Sequence, residues 1–297
     1  MKSKSSSSIF YSLLLVLTAT IWGAAFVAQS AGMENVGPLT FNCIRFILGS
    51  IVLLPVIAIM DKKGLSASSW KDKDLYKGGI ICGTCLFLAS ASQQIGIVYT
   101  TVGKAGFITA FYIVMVPIFS IILKKKPGKL IWLSVIMGVV GLYLLCINGD
   151  SFAIAKGDPY LFACAILFSV QIIAIDTFAP KVDCLKLSCV QFAVAGMLGI
   201  IPMMTEHPTL TNVLSAWIPI GYAGFFSSGI AYTLQTVSQK HVKPAVASLI
   251  MSLESVFAVI FGFLLLHQTL SLREGLGCIV MFLAVILAQF EPGKTEA

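Results

Sequence analysis

Charge is what this chain has least of. Charged residues make up 11% of it, against about 25% in a soluble domain. Hydrophobic residues make up 58% and the mean hydropathy is +0.94. That balance excludes an ordinary soluble domain and points to an all-α polytopic membrane protein. Histidine is scarce too: His207, His241 and His267 are far apart and fall in loops. They supply neither a metal site nor the clustered groups a membrane-embedded hydrolase needs, so no metal, cofactor or enzyme activity is expected. No GxxxxGK[ST] stretch occurs, which excludes ATP hydrolysis by a P-loop in this chain. The net charge of +7 invites a nucleic-acid reading. The basic residues, however, are scattered through short loops without interleaved aromatics, so no nucleic-acid partner is expected. The eight cysteines, at 43, 82, 85, 146, 164, 184, 189 and 278, lie almost wholly in apolar runs. They read as small apolar filler. Cys82 and Cys85 form a CxxC with no second pair, which is not a zinc or redox pattern.

What the chain has in abundance is apolar runs long enough to cross a hydrocarbon core of about 30 Å. The pattern predicts ten spans: Ile9–Ala28, Pro38–Met60, Tyr76–Val98, Gly103–Leu123, Leu130–Ile147, Pro159–Phe178, Leu187–Met204, Val213–Leu234, Pro244–Leu266 and Leu272–Phe290. The first run is longer than the 7–15 residues typical of a signal-peptide core. Pro38, Pro159 and Pro244 sit where proline suits a first helical turn, and Pro117 predicts a kink. Gly79 and Gly83, and Gly138 and Gly141, have the spacing of close helix contacts within one chain. With both termini in the cytoplasm, sixteen of the 20 Lys and Arg fall at the inner loops and span ends and three at the outer ones. Arg45 lies inside a span. This bias favours cytoplasmic termini, and a bacterial plasma membrane is the expected location.

The chain also matches itself. Trp22 precedes Arg45 by the interval that separates Phe168 from Gln191, and Phe46 and Phe192 follow. Pro55 and Pro202 fall within one residue of the same offset, and later in each half Lys104 and Lys243 open a span, with Phe119 and Phe257 matching across a one-residue gap. Two five-helix repeats, 9–147 and 157–290, are expected. Because five is odd, the second must enter the membrane inverted.

These features resemble the EamA family of the drug/metabolite transporter superfamily. The resemblance rests on Ile21-Trp22-Gly23-Ala24-Ala25-Phe26-Val27, on Arg45-Phe46, and on Leu253-Glu254-Ser255-Val256-Phe257-Ala258 with its partner Val116-Pro117-Ile118-Phe119-Ser120. Gly138-Val139-Val140-Gly141-Leu142-Tyr143-Leu144-Leu145 is similar to the family's closing helix. Two departures are visible: Glu254-Ser255 where the family often has Glu-Pro, and His267-Gln268 where a Glu-containing turn often precedes the last helix. The resemblance implies two five-helix units around a central cavity and export of small metabolites, amino acids among them.

A transporter needs a polar site near the midplane. Ionisable residues within spans are costly and mark function by default. Glu254 lies near the centre of the ninth span. It could bind a substrate ammonium, carry a proton whose loss is coupled to transport, or hold helices together. Ala245, Ser248, Ser252 and Ser255 give the same span a small-residue face. Arg45 could grip a substrate carboxylate bidentately or serve only structure. Trp22 shares a face with Phe26 and Gln29. Gln94, Gln171, Tyr232 and Gln235 could line the cavity or make helix–helix hydrogen bonds. Asp176 is expected to be solvated or to partner Lys181, and Lys104 to sit at the outer interface. The expected function is secondary transport: export of amino acids or related polar solutes by alternating access, with proton coupling through Glu254. The alternatives are an efflux carrier for lipophilic or cationic drugs, a lipid flippase or a passive channel. The expected partners are a small-molecule substrate and the bilayer, and a monomer can form the cavity alone.

Overall fold

In lipid an apolar run can satisfy its backbone only as a helix or within a closed barrel, and here the runs are helices. The computed structural model describes residues 2–99, 102–147, 155–266 and 271–291. Its elements are α1 (Lys2–Gly32), α2 (Pro38–Lys62), α3 (Lys73–Val98), α4 (Val102–Thr109), α5 (Tyr112–Ile122), α6 (Lys129–Cys146) and α7 (Asp158–Phe178). They continue as α8 (Cys184–Met204), α9 (Leu210–Ser215), α10 (Trp217–Tyr222), a π-helical stretch (Ala223–Tyr232), α11 (Thr233–Gln239), α12 (Pro244–Met251), α13 (Glu254–Leu266) and α14 (Leu272–Gln289). There are no strands among the described residues. Local chemistry sets the starts. Pro38 and Pro244 each open a helix. The Asp183 carboxylate accepts from the Leu185 and Lys186 amides, and Ser271 and Glu274 form a reciprocal capping box at α14.

Among the described residues, nine helices are long and apolar enough to cross a membrane. The expected span Val213–Leu234 is not one of them. It is helical from Trp217 to Gln239, but as α10, the π stretch and α11 in succession, none of them long. Pro219, Gly221, Gly224 and Gly229 are poor α-helix formers, which fits the wider winding. The fourth and ninth spans are interrupted as well, at 110–111 and 252–253. α5 runs through Pro117, and the irregularity lies a turn or more upstream of the expected kink. His267 and Gln268 lie outside the described residues.

The most extensive contacts join α2 to α8, α3 to α7 and α8, α6 to α14, and α1 to α13. Glycines permit this closeness. A Cβ at Gly79 would meet Val190 at 2.3 Å, and one at Gly83 would meet the Gln191 carbonyl at 2.6 Å. The GxxxG pattern thus packs α3 on α8 inside one chain.

Two polar residues depart from expectation. Lys104 is buried and paired with Asp158 at 2.7 Å, because the start of α4 packs on α7 instead of meeting the interface. Asp176 is buried, not solvated, and pairs with Lys125 at 2.6 Å. The loop after α5 reaches across to the end of α7. Elsewhere Lys186 is 2% exposed and holds Asp61 at 2.6 Å, tying the end of α2 to α8.

Candidate functional site

The helix packing leaves a cavity where α1, α2, α3, α5, α7, the π stretch, α11, α12 and α13 converge. Six of the seven residues singled out from the sequence line it: Trp22, Arg45, Gln171, Tyr232, Gln235 and Glu254. Gln94 does not. It is wholly buried and donates from Nε2 to the Met33 sulfur at 3.2 Å. Gln93, about 100° round the same helix, faces the cavity instead. Phe26 and Gln29 join Trp22 on the α1 wall, as their spacing predicts.

Arg45 is 2% exposed and brought in by α2. Its guanidinium lies 4.6 Å from the centroid of the Phe46 ring, a cation–π contact. Among the described residues its Nε has no hydrogen-bond partner, and no carboxylate forms an ion pair with it. Glu254, which lines the same cavity, is the first residue of α13 and 8% exposed. Its Oε1 accepts from the Tyr112 hydroxyl at 3.1 Å. Among the described residues that is its single hydrogen bond, and no cation pairs with it. Arg45 and Glu254 therefore share the cavity without neutralising each other. In a low-dielectric interior, charges left in that state interact strongly with a ligand of complementary charge.

Aromatic and amide side chains line the rest of the cavity, backed by further rings and amides. The Trp22 indole donates to the Ser227 carbonyl at 3.4 Å, and its ring lies 4.6 Å from that of Tyr232. The Phe46 and Phe192 rings stack at 6.4 Å, with Tyr232 edge-on to both. Gln235 donates to Gln171 at 3.5 Å and Gln171 to Gln191 at 3.4 Å, a chain of long amide hydrogen bonds. The sequence reading missed Tyr112. The available signal was a lone phenol in the middle of the otherwise apolar fourth span. It also left out Phe168, which had been noticed as the repeat counterpart of Trp22 and which lines the same cavity.

The cavity measures about 40 Å³, where one water needs about 10–15 Å³ by the same measure. A few waters fit; a metabolite requires the helices to move. Among the described residues, no three His, Cys, Asp or Glu residues are grouped to hold a metal ion.

Comparison with known proteins agrees with this architecture. The EamA-like transporter family model matches residues 9–147 and again 155–290. A protein of Archaeoglobus fulgidus named "Uncharacterized transporter" is 30% identical over 94% of this chain and 85% of its own length. The inner membrane transporter YedA of Escherichia coli is 24% identical over 90% and 86%. YwfM of Bacillus subtilis, also named a transporter, is 26% identical over 96% of each. A crystal structure of another protein superposes with a TM-score of 0.76, at 19% identity, over 95% of this chain and 96% of that one; that likeness concerns the fold alone. Apolar spanning helices, a buried polar cavity and the two family matches together place this integral membrane protein in the EamA-like transporter family.

Proposed function

We propose that this chain is a secondary transporter that exports amino acids or related small polar solutes across a bacterial plasma membrane by alternating access. The observation that carries the reading is the cavity holding unpaired Arg45 and Glu254. A zwitterion complements both, its carboxylate on the Arg45 fork and its ammonium on Glu254, with Trp22 and Tyr232 against its side chain. Gln171 and Gln235 offer amide contacts. Transport needs no covalent step, so the cavity acts as a binding site and not as an enzyme centre. Glu254 is also the residue whose proton would couple the cycle to a gradient.

In this reading the chain has ten spans in two inverted units, 9–147 and 157–290, with the segmented Trp217–Gln239 stretch as the eighth. Both termini are cytoplasmic. Three observations support it. The family model matches once in each half. Repeat-equivalent Phe46 and Phe192 stack on each other, as residues beside a two-fold axis do. Repeat-equivalent Trp22 and Phe168 line the same cavity. A second reading, efflux of lipophilic organic cations, draws on the aromatic walls beside Glu254, but it leaves Arg45 without a role.

Counterflow in proteoliposomes separates these. Vesicles loaded with amino acids, nucleosides or organic cations are tested for uptake of trace label. Saturable exchange confined to amino acids supports the proposal, and exchange of organic cations alone overturns it. Arg45→Lys should lower amino-acid exchange, since a lysine cannot reproduce the bidentate geometry. Glu254→Gln should abolish any response to a pH gradient while the protein stays folded.

A further inference from the structure

Both interrupted spans break next to the cavity. α4 ends at Thr109 and α5 begins at Tyr112; α12 ends at Met251 and α13 begins at Glu254. Across each two-residue break the backbone bonds tighten to a three-residue span. Phe111 N donates to Ile108 O at 3.1 Å and Ile113 N to Ala110 O at 3.0 Å. Leu253 N donates to Ile250 O at 3.1 Å and Ser255 N to Ser252 O at 3.2 Å.

The first residue after one break is bonded to the first residue after the other. Tyr112 and Glu254 are 4% and 8% exposed, and their 3.1 Å hydrogen bond crosses between the halves. Beside it the buried Ser255 hydroxyl has no hydrogen-bond partner among the described residues and faces Gly106 of α4. An ammonium group is a stronger donor to a carboxylate than a neutral phenol, and it also neutralises a buried charge. It should therefore displace the tyrosine.

We propose that Tyr112 is a positioning residue that latches Glu254. An ammonium-bearing substrate takes the carboxylate from the phenol, and loss of that bond frees the two helix breaks to move. The inference rests on the transport reading given above for its purpose, but not for its test. The latch makes substrate arrival the event that unties the halves. It also makes the phenol an internal competitor for the carboxylate.

Hydrogen exchange on the unaltered protein tests the release directly. With 3-methylbutylamine as the ammonium probe, amides of 110–115 and 252–257 should exchange faster. With 4-methylpentanoate, which has no ammonium, they should not. A simple binding contact would protect these amides, so protection or no change overturns the latch. The second test is Tyr112→Phe, which keeps the ring. It should tighten amine binding by roughly three- to tenfold, the size expected for removing one competing hydrogen bond, and slow exchange transport at saturation. In a Glu254→Gln background the same change should leave amine affinity unaltered. Weaker amine binding in Tyr112→Phe would make the phenol a ligand and refute the proposal. Absence of amino-acid counterflow together with amine-induced exchange at both breaks would refute the transport reading and leave the latch standing.

Discussion

Two glycines of α14 separated by one residue offer a matched experiment on helix packing. Gly277 faces α6, where an added Cβ would lie 2.7 Å from the Leu145 amide nitrogen, 2.8 Å from the Gly141 carbonyl oxygen and 3.1 Å from the Leu145 Cα. All three are backbone atoms, so no side chain can rotate away; the helices themselves must separate. At Gly275 an added Cβ meets nothing within 4 Å. Replacing glycine by alanine within a helix gains about 0.8–1.0 kcal/mol of propensity at either site. Overpacking costs about 1–3 kcal/mol and applies at Gly277 alone. The propensity gain cancels in the comparison, so Gly277→Ala should be less stable than Gly275→Ala by about 1–3 kcal/mol. Gly275→Ala itself should match or slightly exceed the unaltered protein. Reversible unfolding in mixed micelles, followed by tryptophan fluorescence, reads both. Equal stability of the two variants would show that α6 and α14 are not in backbone contact at this point, and would refute the packing argument.

The remaining expectations concern charges at the helix ends. Lys186 is almost wholly buried, whereas the Asp61 side chain is 32% exposed. Asp61→Asn leaves a buried ammonium with the Ser68 carbonyl and the Trp70 face, while Lys186→Met leaves a carboxylate that water can reach. The first variant should melt at the lower temperature, and the reverse order would contradict this burial asymmetry. Glu206 accepts from the Leu39 and Thr40 amides and the Thr40 hydroxyl at 2.9, 2.7 and 2.6 Å, holding the start of α2 from far along the chain. Glu206→Ala should cost about 1–3 kcal/mol, with the loss of exchange protection concentrated at 37–41.

The sequence carried more of the site than of the helix geometry. Burying charge in lipid is expensive, so Arg45 and Glu254 stand out in any apolar run, and both line the cavity. Gln94 shows where this logic stops. Adjacent glutamines in a span differ only in angular position, about 100° apart, and the rotational setting of the helix in the bundle decides which faces polar space. Tyr112 escaped notice because a phenol is as ordinary in an apolar core as in a site. The breaks at 110–111 and 252–253, and the π winding at Ala223–Tyr232, were not legible either. Glycine and serine permit such departures, but tertiary contacts select them. For Lys104 and Asp176, a position near a span end suggested solvent, and the partners Asp158 and Lys125 came from distant parts of the chain.

The pairing of α2 with α8, α3 with α7, and α6 with α14 bears on how the protein is made. Each of the early helices finds its main neighbour only after much of the remaining chain has been synthesised. Until then its packing face, with the close-approach glycines of α3 and α6, must rest against lipid or an insertion factor. α1 waits longest, because its neighbour α13 follows more than two hundred residues later. The first half therefore cannot reach its native packing as a free-standing unit and completes it only as helices of the second half arrive.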